Sequence, residues 1–141
     1  MKIVVIDGQG GRMGALLCDK IRKNKEKLPS DTELIAIGTN SAATAAMLKA
    51  GADFGATGEN PVLVACRDAD FIIGPLGIMA ADSLLGEVTP AMAVAVGSSL
   101  AQKILLPVNR CNHHVAGVQD YSMARLTDEA VEDLLACLEK K

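Results

Sequence analysis

Ile3-Val4-Val5-Ile6-Asp7-Gly8-Gln9-Gly10-Gly11-Arg12-Met13-Gly14 decides the fold of this chain. Four apolar residues without a polar break read as a strand buried on both faces, as in the centre of a parallel sheet. A glycine-rich turn follows. From Ala15 to about Lys25 the chain reads as a helix, with Ala15, Leu17, Cys18 and Ile21 facing inward. Strand, glycine turn and helix is the order that a nucleotide's phosphates need. The turn exposes backbone N–H groups, the helix start adds partial positive charge, and glycine admits close approach.

The same alternation continues downstream. Glu33–Gly38 reads as the second strand, and Thr39-Asn40-Ser41 turns into an alanine-rich helix that Gly51 ends. A short third strand is expected within Ala52–Ala56, and a third helix from Pro61 to about Arg67. Asp70–Ile73 is the fourth strand, closed by Gly74-Pro75-Leu76-Gly77, with a helix or turn over Ile78–Leu85. Pro90–Val96 reads as a fifth strand, from which Gly97-Ser98-Ser99 opens a short helical segment. Ile104–Val108 and His114–Val118 read as an antiparallel hairpin turning through Asn109-Arg110-Cys111-Asn112. Thr127 is the expected cap of the last helix. The fold class is thus α/β and Rossmann-like. The sheet is mostly parallel, helices cover both faces, and an antiparallel hairpin forms the C-terminal edge. Residues 1–141 form one domain. Right-handed crossovers put the post-strand loops along one edge, where open α/β sheets bind ligands.

Composition narrows the partners. Half of the 141 residues are hydrophobic, but Phe54, Phe71 and Tyr121 are the only aromatics. The core must be aliphatic. With a mean hydropathy of +0.26, some apolar surface is expected to remain outside it and to drive homo-oligomer formation. A tightly packed small core is the competing account. The net charge of −3 argues against nucleic acid. Lys20, Arg22, Lys23, Lys25 and Lys27 gather at the end of the first helix, where they complement its dipole. Cys18, Cys66, Cys111 and Cys137 form no C-x-x-C pair, so neither a disulfide nor a zinc framework is expected. No apolar run is long enough for a membrane span, and the first residues read as a strand rather than a signal peptide. A cytoplasmic location is the expectation.

The candidate site starts from the turn. G-x-x-G-x-x-G is met by Gly8, Gly11 and Gly14, whereas G-x-G-x-x-G fails because Met13 stands at its third glycine. Gly8, Gln9, Gly10, Gly11, Arg12, Met13 and Gly14 are the expected cofactor-binding residues. The post-strand loops add Thr39, Asn40, Gly74, Pro75, Gly97, Ser98 and Ser99. Readers of dinucleotides usually carry an acid at the end of the second strand. Here Thr39 and Asn40 stand there, and Asn40 suits a helix cap equally well. Asp7 is expected to hold a structural hydrogen bond. No Walker lysine follows the turn, which argues against a P-loop.

Cys111-Asn112-His113-His114 is the most reactive-looking cluster. Adjacent histidines on a strand point to opposite faces and a fourth ligand is missing, so no metal site is expected. Asn112 and His113 are retained as possible pocket residues, with a plain hairpin turn as the alternative. No catalytic set is identifiable, and whether the protein is an enzyme stays open.

The turn also resembles a known family. Gly8-Gln9-Gly10-Gly11-Arg12-Met13-Gly14 is similar to the G-x-x-G-R-M-G turn of dihydrodipicolinate reductase, and Gly97-Ser98-Ser99 to its later G-T-T loop. The resemblance implies an NAD(P) cofactor, with Arg12 beside a 2′-phosphate, which tilts the expectation toward NADP over NAD. That family's downstream lysine and S-G-T motif are absent, so the resemblance extends to the cofactor and not to the reaction. Over nearly its whole length the chain resembles a family of small bacterial proteins known only as a domain of unknown function. The matching features are the glycine turn, Thr57-Gly58-Glu59-Asn60, Gly74-Pro75-Leu76-Gly77-Ile78, Gly97-Ser98-Ser99 and Cys111-Asn112-His113. This implies a Rossmann-like fold and no established activity.

The expected function is a stand-alone nucleotide-binding domain, NAD(P) being the leading ligand. One alternative is a small NAD(P)-dependent oxidoreductase whose substrate pocket is completed by oligomerisation. The other is a structural or interaction protein that keeps the fold without the ligand.

Overall fold

Ile3 pairs with Leu34 on one side and Phe71 on the other, which places β1 (Lys2–Asp7) at the centre of a five-stranded sheet. The computed structural model describes residues 1–108 and 113–140. The further elements are α1 (Arg12–Lys23), β2 (Glu33–Gly38), α2 (Ser41–Ala50), β3 (Phe54–Thr57), α3 (Glu59–Ala65), β4 (Phe71–Pro75), α4 (Pro90–Ser98), β5 (Gln102–Leu106) and α5 (Met123–Glu139). The strand order is β3-β2-β1-β4-β5 and every pairing is parallel. The Rossmann-like α/β expectation holds.

The unbroken apolar run of β1 is used on both faces, because successive side chains on a strand point to opposite sides. Ile3 and Val5 join Leu17, Met47, Phe71, Leu126, Val131 and Leu134 in a core beneath α1, α2 and α5. Val4 and Ile6 join Val62, Ile72, Met92 and Val96 in a second core beneath α3 and α4. The first β–α unit thus anchors both layers.

Three elements differ from the sequence expectation. No antiparallel strand occurs among the described residues. Ile104–Leu106 belongs to β5, parallel to β4, and His114–Val118 is irregular, with a turn at Ala116–Gly117. The expected hairpin turn, 109–112, lies outside the described residues. Pro90–Val96 is helical. Thr89 accepts a hydrogen bond from the Met92 N–H at 3.2 Å and Pro90 takes the first helical position, a start signal that overrides the apolar run. The last helix starts earlier than expected. Ser122 caps it, and Thr127 is buried inside, donating to the Met123 and Ala124 carbonyls and accepting from Lys20 Nζ at 2.6 Å.

Candidate functional site at the glycine turn

β1, β2, β4 and β5 all end at one edge of the sheet, and the glycine turn stands at its middle. The turn closes by a 2.9 Å hydrogen bond from the Gly11 N–H to the Gly8 carbonyl, with Gln9 and Gly11 at φ of 51° and 71°. Asp7 then fastens it. The buried carboxylate accepts the Gly8 N–H through Oδ1 and the Gly14 N–H through Oδ2, both at 2.8 Å. This is the structural role expected for Asp7. Gly14 lies in the first turn of α1, so Asp7 takes up one of the donors that every helix start leaves unpaired. The N–H groups of Gly10, Arg12 and Met13 have no acceptor among the described residues.

The glycines of the turn divide into two kinds. A Cβ on Gly8 would meet Thr39 Oγ1, Leu84 Cδ1 at 2.8 Å and Glu87 Oε1 at 3.0 Å. On Gly11 it would stand 2.6 Å from Ala43 Cα, and on Gly14 it would be 2.9 Å from Asp7 Cβ. These three are glycine because neighbouring atoms leave no room. Gly10 is different. It is exposed, its φ is not positive, and no atom of the described residues lies within 4 Å of a Cβ built there.

A cleft of about 80 Å3 opens against the turn. Gly8 to Met13 line it together with Pro75, Leu84, Val108 and Met123. Arg12 lines it, is exposed, and forms no ion pair among the described residues. The cleft is smaller than the roughly 300–1,000 Å3 of pockets that enclose drug-sized ligands. Its size suits a phosphate group, while a larger ligand would extend along the open sheet edge.

On the β2 side of the turn stands a carboxylate that spacing in the sequence did not reveal. Glu87 comes from the segment between β4 and α4, 48 residues from Thr39 and 78 from Gln9. Its Oε1 accepts from the Gln9 N–H at 2.9 Å, from Thr39 Oγ1 at 2.7 Å and from Asn40 Nδ2 at 2.7 Å. Partial burial pushes the carboxyl up. The hydrogen bonds from Thr39, Gln9 and Asn40 outweigh that and hold it below the usual carboxylate range. Asn40 keeps its helix-cap role as well, accepting the Ala43 N–H at 2.9 Å and donating to the Gln9 carbonyl at 2.8 Å.

The segment that carries Glu87 is tightly folded. Asp82, Leu84 and Leu85 all have positive φ, near 64°, 55° and 56°. The Asp82 N–H donates to the Val88 carbonyl at 2.7 Å and closes the loop. Leu84 is turned inward against Gly8, and Leu85 outward at 94% exposure. The backbone is thus bent at both ends of a short arc that delivers Leu84 and Glu87 to the glycine turn.

The structure brings together Gly8 to Met13, Thr39, Asn40 and Pro75 at this edge. Gly74 lies in β4 and is glycine because the Ile6 carbonyl would clash with a Cβ. Gly97, Ser98 and Ser99 are not brought to the cleft. They end α4 instead of opening a helix, and they precede β5, so they stand at the opposite edge of the sheet. Ser99 Oγ donates there to the Cys66 carbonyl at 2.7 Å. Asn112 and Cys111 lie outside the described residues. His113 does not line the cleft, and its Nδ1 is buried with no partner among the described residues. No cluster of three His, Cys, Asp or Glu side chains suited to a metal occurs among the described residues. Burial first, and then the Asp7 charge, push the Cys18 thiol up to about 12. Burial pushes the Cys66 thiol to about 11.

Residues 2–139 match the family described as domain of unknown function DUF3842. The chain belongs to that family. The family carries no named activity, and nothing in the match links the chain to dihydrodipicolinate reductase. No curated protein and no solved structure matches the chain. Among the described residues, no helix is long and apolar enough to cross a membrane.

Proposed function

We propose that this DUF3842 member is a stand-alone nucleotide-binding domain whose ligand is of the NAD(P) class. Gly10 is the observation that carries the reading. Neighbouring atoms account for glycine at 8, 11 and 14, but a Cβ at position 10 would have none of the described residues within 4 Å. Glycine at such a place suits a ligand that approaches the backbone closely. The N–H groups of Gly10, Arg12 and Met13 and the Arg12 guanidinium, without partners among the described residues, supply the donors and the charge that a pyrophosphate needs. The resemblance of the turn to that of dihydrodipicolinate reductase supports the same class. The nucleosides would extend from the cleft along the open sheet edge.

Titration calorimetry with NADH, NADPH, AMP and coenzyme A tests the reading. At least one should bind, and Gly10→Val should weaken it about tenfold or more with little change in Tm. No heat with any of the four leaves a structural or interaction protein as the account of the chain.

The oxidoreductase alternative requires a second copy to complete a substrate pocket. Val64, Val94 and Leu100, on or beside α3 and α4, are 45%, 67% and 103% exposed and favour self-association. Sedimentation of the wild type against a Val94→Asp, Leu100→Asp variant tests it. A wild type that is already monomeric removes this alternative.

A further inference from the structure

We propose that Glu87 selects the ligand through its ribose, accepting a nucleotide with free 2′- and 3′-hydroxyls and rejecting one that carries a 2′-phosphate. This deepens the nucleotide-binding reading and rests on it.

The end of the second strand offers Thr39 and Asn40, neither of them acidic. The fold nevertheless places a carboxylate there from another segment. Thr39 Oγ1, Asn40 Nδ2 and the Gln9 N–H converge on Glu87 Oε1. All three are neutral donors, and one of them belongs to the glycine turn itself. Three donors use up the acceptor capacity of Oε1, which has about two lone pairs. Glu87 Oε2 has no hydrogen-bond partner among the described residues. It is a free acceptor beside the turn that the nucleotide's phosphates would occupy.

The chemistry of the two ribose types separates at that point. A ribose diol brings two O–H donors, which match an open carboxylate oxygen. A 2′-phosphate brings only acceptor oxygens and about two negative charges to a site already anionic. The same hydrogen bonds that position Glu87 keep it ionised at neutral pH, so the repulsion is permanent there. No cation pairs with Glu87 among the described residues. Arg12 was expected to meet a 2′-phosphate, but it lines the cleft, as Pro75 and Val108 do, and Glu87 does not. Its charge is therefore assigned to the pyrophosphate. The selected ligand is NAD(H) rather than NADP(H).

Titration calorimetry with NADH and with NADPH, on wild type and on Glu87→Gln, decides the proposal. Glutamine keeps an acceptor for Thr39, Asn40 and Gln9 while removing the charge. Wild type should bind NADH at least about tenfold more tightly than NADPH, and Glu87→Gln should bring the ratio to within about threefold. A wild type that binds both equally, or prefers NADPH, overturns the proposal. So does a preference for NADH that survives Glu87→Gln. In both cases the nucleotide-binding reading stands. If neither dinucleotide binds while AMP or coenzyme A does, the ribose proposal and the NAD(P) class fall and nucleotide binding alone stands; if none of the four binds, nucleotide binding falls as well. The wild-type ratio needs no variant, so poor folding of Glu87→Gln leaves a deciding measurement.

Discussion

Ala43 Cα stands 2.6 Å from the point a Cβ on Gly11 would occupy. The contact joins the glycine turn to the first turn of α2, so the backbone of the turn is packed against its neighbour rather than held by chemistry alone. Gly11 also sits at a φ of 71°, in the left-handed region that favours glycine. Gly11→Ala should therefore destabilise the fold by about 1–3 kcal/mol or more. Gly10→Ala, with open space and ordinary φ, should stay within about 0.5 kcal/mol of wild type. Urea unfolding of the two variants checks the contrast. Equal losses would contradict the division of the glycines into packed and unpacked.

Acid should release Glu87. Its carboxyl is held below the usual range in the folded protein. The folded state therefore binds this proton less readily than the unfolded chain does. Its stabilising contribution is fully present above the unfolded value of about 4.3 and is lost as pH falls through the folded value. The urea midpoints of wild type and Glu87→Gln should accordingly converge as pH is lowered from 7 toward 3. The comparison isolates Glu87 from Asp53, whose carboxyl is also lowered. Partial burial raises Asp53, and the Leu34 N–H and Arg22 outweigh it. A gap that stays constant across that range would show that Glu87 contributes no ionised-state bonding.

Two thiols should be chemically silent. Cys18 and Cys66 are buried and pushed to about 12 and about 11, so almost no thiolate exists near neutrality. Iodoacetamide at pH 8 should leave both unmodified in the native protein, and denaturant should expose both. Peptide mass spectrometry distinguishes them from the remaining cysteines. Rapid native labelling of Cys18 would mean that α1 separates from the sheet far more often than its packing allows.

The sheet was legible wherever apolar runs lay between glycine, proline or asparagine signals. β1, β2 and β4 fall close to their expected places for that reason. α4 was not legible from its pattern, because a helix whose residues are nearly all small and apolar has no polar face to set a period. The Thr89-Pro90 pair was the available signal, since it couples a cap to a first-turn proline. That one misreading had a geometric consequence. Exchanging strand for helix over Pro90–Val96 reverses which edge of the sheet the next loop occupies. Gly97, Ser98 and Ser99 were thereby expected beside the glycine turn and are found at the far edge. Glu87 was hidden for a different reason. A residue recruited to the end of β2 from 48 positions away leaves no trace in local spacing. It is found only once the arc through Asp82, Leu84 and Leu85 is known.

Lys20 Nζ reaches the Ala124 carbonyl at 2.7 Å and the Asp128 carboxylate at 2.8 Å, joining α1 to a helix that begins about a hundred residues later. Leu17 and Ile21 share their core with Leu126, Val131 and Leu134. Ile3, Val5, Met47 and Phe71 bury one side of α1, and the last part of its cover comes from α5, far along the sequence. α1 is therefore fully covered only once α5 has docked. Contacts so distant in sequence fold slowly. The glycine turn is thus braced in part by a helix about a hundred residues away, and the packing around it is completed late in folding.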